Sequence, residues 1–279
     1  MASVDVDALV GRTRSGRLVQ RTIALLWVAI IVLVPLVVVI VKTFQPGLAQ
    51  FFDALGTSQA RAAYKLTAEV AISAVVLNIV FGVGMSMLLA RYRFPGRRML
   101  SGLIDLPIAV SPIVVGIALV LVYSPYNGWF GKGLASDGIK IIFATPGMIM
   151  ATVFVSMPLI LREIVPVLEE EGTDQEQAAR VLGANAIQRF VRITFPTIRA
   201  ALAYGIVLGL ARSIGEYGAL VVVSGNVSGS GQTQTVPLVI GDRVTQLEGG
   251  YYPLAFVLIL ITVAAIVVVG LRRKKENLR

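Results

Sequence analysis

Six apolar runs divide the chain, at residues 23–41, 70–90, 99–122, 141–161, 200–223 and 254–271, and each is long enough to cross a bilayer. Polar or turn-rich segments separate them. The pattern predicts an all-α integral membrane protein with six transmembrane helices. The first run competes with a signal-peptide reading, but it is longer than a typical signal core and no small-x-small cleavage site follows it closely. Pro35 lies inside that run and predicts a kink, while Asp105, Pro107 and Pro112 interrupt the third and predict an irregular helix. Residues 42–65 form a connection with amphipathic character, carrying Phe44, Leu48, Phe51, Phe52 and Leu55. Residues 123–140 are rich in turn formers and aromatics, and Tyr123, Tyr126, Trp129 and Phe130 suit an interfacial belt better than a gate.

Charge orients this ladder. Arg12, Arg14, Arg17 and Arg21 precede the first run, and Arg91, Arg93, Arg97 and Arg98 crowd the second connection. Arg162, Arg180, Arg189, Arg192 and Arg199 occupy the fourth connection, and Arg272, Arg273, Lys274, Lys275 and Arg279 close the chain. The opposite side holds only Lys42, Arg61, Lys65, Lys132, Lys140 and Arg243. The asymmetry predicts both termini on the cytoplasmic side. It divides the chain into a cytoplasmic N-terminus (1–22), a first span with an external loop (23–65), a main transmembrane domain (66–271) and a cytoplasmic tail (272–279).

Composition removes whole classes of chemistry. Of 279 residues 56% are hydrophobic and 15% charged, too apolar for an ordinary soluble domain. The net charge of +9 sits in clusters flanking the spans, with no basic groove interleaved with aromatics, so nucleic acid is not an expected partner. Neither cysteine nor histidine occurs, which excludes disulfides, thiolate and imidazole metal sites, and Cys/His catalysis.

One polar stretch stands apart, residues 169–196, EEEGTDQEQAARVLGANAIQRFVRITFP, between the fourth and fifth runs. Thr173 followed by Glu176 fits a capping box that would start a helix near Asp174. Gly183 stands where a helix end needs positive φ, and Ile187, Phe190, Val191 and Ile193 make an apolar stripe on a second helix. Pro196 suits the first turn of the fifth span. A cytoplasmic helical hairpin follows; by itself it is compatible with a solvated connection or with a docking element.

The hairpin also carries a signature. Gln177-Ala178-Ala179, three residues, Gly183, nine residues and Ile193-Thr194-Phe195-Pro196 resembles the EAA motif of ABC-importer permeases (EAA, three residues, G, nine residues, I-x-L-P). Gln177 stands where that motif has Glu, and Phe195 where it has Leu. The departure leaves adjacent Glu176 as the candidate for an ion pair at the first position. ARSIGEYGA at 211–219 followed by VVVSGN resembles the permeases for sulfate and molybdate, and IDLPIAVSPIVVG at 104–116 and FVSMPLILREIVPVLEEEGTDQEQAARVLGA at 154–184 are similar to the sulfate/thiosulfate branch, CysW-type; the resemblance spans about residues 60–270.

The resemblance implies a type I importer transmembrane domain. It also implies a coupling hairpin (Glu176, Gln177, Ala178, Ala179, Gly183, Ile193, Pro196) seated in a cleft of a separate ATPase. The implied partners are two ATP-binding subunits, a related permease forming a heterodimer, an external sulfate-binding protein and the lipid bilayer. The chain has no GxxxxGK[ST] phosphate loop, so ATP-Mg belongs to the ATPase, no cofactor is expected here, and the chain is not an enzyme. A bacterial plasma membrane is the implied location. A molybdate or tungstate permease, a polytopic membrane enzyme and a passive anion channel are the alternatives. No convergent Asp or Ser cluster supports the enzyme, and a channel would not require the hairpin.

Arg212 and Glu216 lie four residues apart inside the fifth predicted span. An arginine near the centre of a span costs about 2.5 to 3.5 kcal/mol on insertion scales, so the two are expected to pair on one helix face, or else Arg212 faces the anion path. Asp105, near the cytoplasmic end of the third span, is expected to snorkel or to pair with a nearby arginine, and Glu69 to be interfacial. The Gly/Ser/Thr-rich loop 224–237 offers hydroxyls and amides either to an anion or to a binding protein.

Overall fold

The computed structural model describes residues 14–227 and 233–276, with side chains described over 19–227 and 233–267. The first part of the N-terminal segment, the middle of the 224–237 loop and the last residues of the tail lie outside the described residues. The described backbone is helical, without strands. Its helices are α1 Arg14–Phe44, α2 Leu48–Gly56, α3 Ser58–Arg91, α4 Arg97–Ala109, α5 Pro112–Tyr123, α6 Gly131–Ser136 and α7 Thr145–Glu171, followed by α8 Asp174–Val181, α9 Ala186–Arg189, α10 Phe195–Ile214, α11 Leu220–Val223, α12 Val236–Thr245 and α13 Tyr251–Glu276.

Four described helical stretches are long and apolar enough to cross a membrane: Val19–Phe44, Ser58–Arg91, Thr145–Glu171 and Ala186–Ile214. The pair α4 and α5 makes a fifth if it is taken as one broken span. The sixth predicted span falls on α13, whose apolar stretch is described through Val267.

The packing centre is α7, against which α3 and α10 lie most extensively. Small residues let these backbones approach. A Cβ added at Gly82 of α3 would stand 2.8 Å from Ile160 Cγ2, and one at Gly205 of α10 would stand 3.0 Å from Ile160 Cα. Close approach of this kind drives association where lipid removes the hydrophobic incentive. Ile160, Ile164, Leu168, Ile198 and Leu202 fill the contact. Asn78 donates to Ser156 Oγ at 2.8 Å, a polar bridge between α3 and α7.

Three predicted boundaries move. The third span is not one irregular helix: α4 and α5 meet at 110°. Pro112 denies Ser111 the helical region, leaving it extended at φ −60°, ψ 133°, and Pro112 then opens α5. The fifth span, expected to reach residue 223, stops at Ile214. Finally, α7 continues through Glu171, so Glu169 to Glu171 belong to a spanning helix, and the hairpin begins at Gly172, whose φ of +70° ends it.

The two breaks pack on each other. A Cβ at Gly116 would fall 2.8 Å from Ala219 O, and one at Gly218 would fall 3.1 Å from Pro112 Cβ. Val115, Ala219, Leu220 and Val223 bury the contact. Irregular backbone at this depth is thus covered by protein, as the absence of water in a bilayer demands.

Contacts also sort the connections by side. Arg91 and Arg97 meet Glu176 and Glu169, so the second and fourth connections share one face. Gln59 meets Gln234, which puts the first and fifth connections together elsewhere. The 224–237 loop is anchored at its described ends: Ser224, Gln234 and Thr235 are buried, and α12 follows. Gln234 Nε2 donates to Asp242 at 2.5 Å, and Arg243 donates to Gln59 at 3.1 Å. Tyr126, Trp129 and Phe130 are exposed, Tyr123 is half-buried, and Glu69 is exposed.

Candidate functional site

The hairpin is built as two short helices with a defined reversal. At the end of α8, Ala184 N–H donates to Ala179 O at 2.9 Å and Gly183 N–H to Arg180 O at 3.0 Å. This reciprocal pattern satisfies the last carbonyls only if the intervening residue is left-handed, and Gly183 has φ +88°. Open space surrounds it, so backbone conformation rather than crowding requires the glycine.

The capping box occurs at the second helix instead of the first. Asn185 Oδ1 accepts from Gln188 N at 2.8 Å and Gln188 Oε1 accepts from Asn185 N at 2.9 Å. Thr173 makes no such cap, and its hydroxyl accepts from Gln177 Nε2 at 2.7 Å. The reason is competition for Glu176. Its carboxylate takes a guanidinium bond from Arg91 at 3.0 Å and a hydroxyl bond from Thr194 at 2.9 Å. A bond to a charged donor is about twice as strong as the neutral amide bond that a cap offers.

Glu176 therefore faces its own subunit. Arg91 also donates to Leu168 O at 2.6 Å, so this joint gathers the ends of α3 and α7, the start of α8 and the root of α10. Only 9% of the Arg91 side chain and 17% of the Glu176 side chain are exposed. A charge pair so little wetted is weakly screened and geometrically firm. Sequence spacing gave no sign of Arg91, which lies 85 positions away.

After α9 the chain does not restart. Residues Phe190–Thr194 form a π turn and lead into α10, so the hairpin's second arm and the fifth span are one rod from Ala186 to Ile214. Pro196 lacks the N–H that an α-helix would direct to Arg192, and Phe195 N–H reaches Phe190 O instead.

The outer surface of the hairpin is apolar. Val181, Leu182 and Ile187 are 87%, 88% and 74% exposed, next to Gln177 and Ala178, which are also exposed. Ala179 and Ile193 are half-buried and line an open notch of about 570 Å³ with Arg189 and Arg192. Together Val181, Leu182 and Ile187 make an exposed apolar patch on an otherwise polar segment, of the kind that interaction sites carry.

The second predicted pair also forms, in another setting. Arg212 Nη1 lies 2.7 Å from Glu216 Oε2. Glu216 sits beyond the end of α10, however, so the two do not share a helix face. Its side chain is 2% exposed and folds back so that Oε1 accepts from Ala219 N at 2.8 Å, while Arg212 keeps 38% exposure. Asp105 pairs with Arg162 at 3.1 Å, as expected.

Relatives agree with this geometry. Residues 78–275 match the family described as binding-protein-dependent transport system inner membrane component. The chain is 46% identical to a sulfate transport system permease protein CysW of Synechococcus elongatus, over 81% of this chain and 78% of that one. It is 38% identical to a sulfate transport system permease protein CysT of Salmonella typhimurium, over 87% and 85%. A solved bacterial alginate ABC transporter, in complex with an alginate pentasaccharide-bound periplasmic protein, has the same fold at a TM-score of 0.72 and 18% identity, covering 91% of each chain. With a capped hairpin on arginine-bonded spans, and with the family match covering both, this chain belongs to the inner membrane components of binding-protein-dependent ABC transport systems.

Proposed function

We propose that the chain is a permease subunit of an ATP-driven importer that carries sulfate or thiosulfate into the cytoplasm by alternating access. The observation that carries the reading is the hairpin, whose apolar tip is open to a partner while Arg91, Glu176 and Thr194 tie its base to the spans. Closure of two ATPase subunits on ATP would push the tip, and the rod from Ala186 to Ile214 would carry that motion into the membrane. The CysW and CysT names of the relatives support the substrate class and a heterodimer of two related permeases. The periplasmic protein in the alginate complex supports capture of the anion by a separate external protein. The arginine-rich face that holds the hairpin is assigned to the cytoplasm by the positive-inside rule, with six spans, both termini inside and the complex in a bacterial plasma membrane. Arg212, with part of its guanidinium side chain open, offers a cation to the passing dianion while Glu216 prevents tight capture.

Reconstitution of this permease with its sister, the ATPase and the binding protein in liposomes tests the reading. ATP-dependent uptake of labelled sulfate is expected. Uptake that persists without ATP would sink it. Uptake that molybdate or tungstate competes away, with sulfate failing to saturate it, would reassign the substrate.

A further inference from the structure

We propose that the turn between α3 and α4 binds the phosphate headgroup of an anionic phospholipid. An open cavity of about 720 Å³ there is lined by Arg93, Phe94, Arg97, Arg98, Met99 and Ser101. Three guanidinium groups and a hydroxyl line it, and no carboxylate does. Arg97 is bridged to Glu169 at 2.6 Å, but Arg93 and Arg98 are exposed and have no acidic partner among the described residues. The first turn of α4 contributes no acid either. Two uncompensated arginines beside a third recognise a phosphate through forked N–H groups.

The apolar surroundings choose between a free anion and a lipid. Met99, Leu103 and Leu106 recur at helical spacing on α4 and are all exposed. The stripe starts at the cavity rim and runs along α4 toward the membrane-spanning part of the chain. A free phosphate would use the cavity alone, whereas an anionic lipid would use both, its headgroup on the arginines and an acyl chain along the stripe. Basic pockets between spans on the cytoplasmic side are suited to such headgroups. Occupancy has a mechanical consequence. Arg97 cannot serve the phosphate and Glu169 fully at once, and Glu169 is in the last turn of α7, just before the hairpin. A bound lipid therefore loosens one tie between the α3–α4 turn and the base of the hairpin.

The test uses the intact importer in nanodiscs of phosphatidylcholine with a varied share of phosphatidylglycerol, and reads the phosphatidylglycerol retained on the purified complex by mass spectrometry. At about fivefold per basic residue near an anionic surface, Arg93→Gln/Arg98→Gln should bind about 30-fold more weakly. Arg93→Lys/Arg98→Lys keeps the charges that set topology but loses the forked donors, so it should bind more weakly than the wild type and more tightly than the Gln variant. Met99→Asp removes no arginine and should still cut lipid retention, because it places a charge at the head of the stripe. It decides the matter if the Gln variant does not assemble. Equal retention in the wild type and in whichever of the Gln and Met99→Asp variants assembles overturns the proposal. Displacement of the lipid by inorganic phosphate at similar concentration identifies a free-anion site and overturns the lipid source. Lipid binding that appears only when the ATPase subunits are stripped away makes the face a protein contact and also overturns it. None of these outcomes depends on which oxyanion is transported.

Discussion

Two arginine–glutamate pairs organise this protein, and they differ in what they join. Arg212 and Glu216 are neighbours in sequence that hold a helix end against the break that follows it. Arg91 and Glu176 lie 85 positions apart in the chain and hold the hairpin against the spans. The first is a local repair: a buried carboxylate is tolerated because a guanidinium and the Ala219 amide meet it. The second ties the base of the hairpin to the ends of two spans, and under the proposed function it is the joint through which a push on the tip would reach them. Burial of one partner protects both pairs from screening, but only the second can pass displacement between segments distant in the chain.

The comparison is broken most severely at Glu216. Arg212→Gln leaves that carboxylate buried and unpaired, and should cost about 3 kcal/mol in thermal unfolding of the detergent-solubilised complex. Arg212→Gln/Glu216→Gln should recover most of the loss, since the amide oxygen can still accept from Ala219. Recovery of transport as well would mark the pair as structural; recovery of stability without transport would place Arg212 on the anion path.

Next comes the joint. Glu176→Ala removes two bonds to a carboxylate and should weaken hairpin docking by about 2 kcal/mol. The expected signature is ATP hydrolysis that proceeds without sulfate uptake. The swap Arg91→Glu/Glu176→Arg should restore part of the coupling, and complete insensitivity of coupling to Glu176→Ala would show that the joint transmits nothing.

A smaller effect is expected at the reversal. Gly183→Ala meets no neighbouring atom, so it should cost only the left-handed conformation, about 1 kcal/mol. On the proposed docking of the hairpin tip against an ATPase, a bulky residue at the same position should abolish coupling while the chain still inserts. Association with the ATPase that survives such a change would remove the docking role from the hairpin. Smallest of all, Glu169→Gln at the half-exposed bridge to Arg97 should change stability by less than about 1 kcal/mol, and by less again in high salt.

Legibility in the sequence followed the range of the interaction. The hairpin's Gly183 and its place in the EAA-like spacing were readable because a helix end is decided by the backbone needs of a few adjacent residues. The cap was misread at Thr173 and missed at Asn185. Both have a suitable partner three residues on, but only Glu176 has a distant arginine bidding for it. The ion pair at Arg212 was readable from spacing, whereas its backbone was not, since GEYG breaks a helix here in concert with the Pro112 break packed against it.

The amino-acid sequence by itself determined that the chain lives in a bilayer, which connections carry the positive charge, and where the hairpin turns, because hydropathy, charge bias and glycine conformation are properties of short stretches. Tertiary structure alone decided that Glu176 looks inward to Arg91, that α4 and α5 meet at 110°, and that the second arm of the hairpin runs unbroken into a span. Those features arise where segments far apart in sequence compete for the same donors and the same space, and no local pattern records the outcome of that competition.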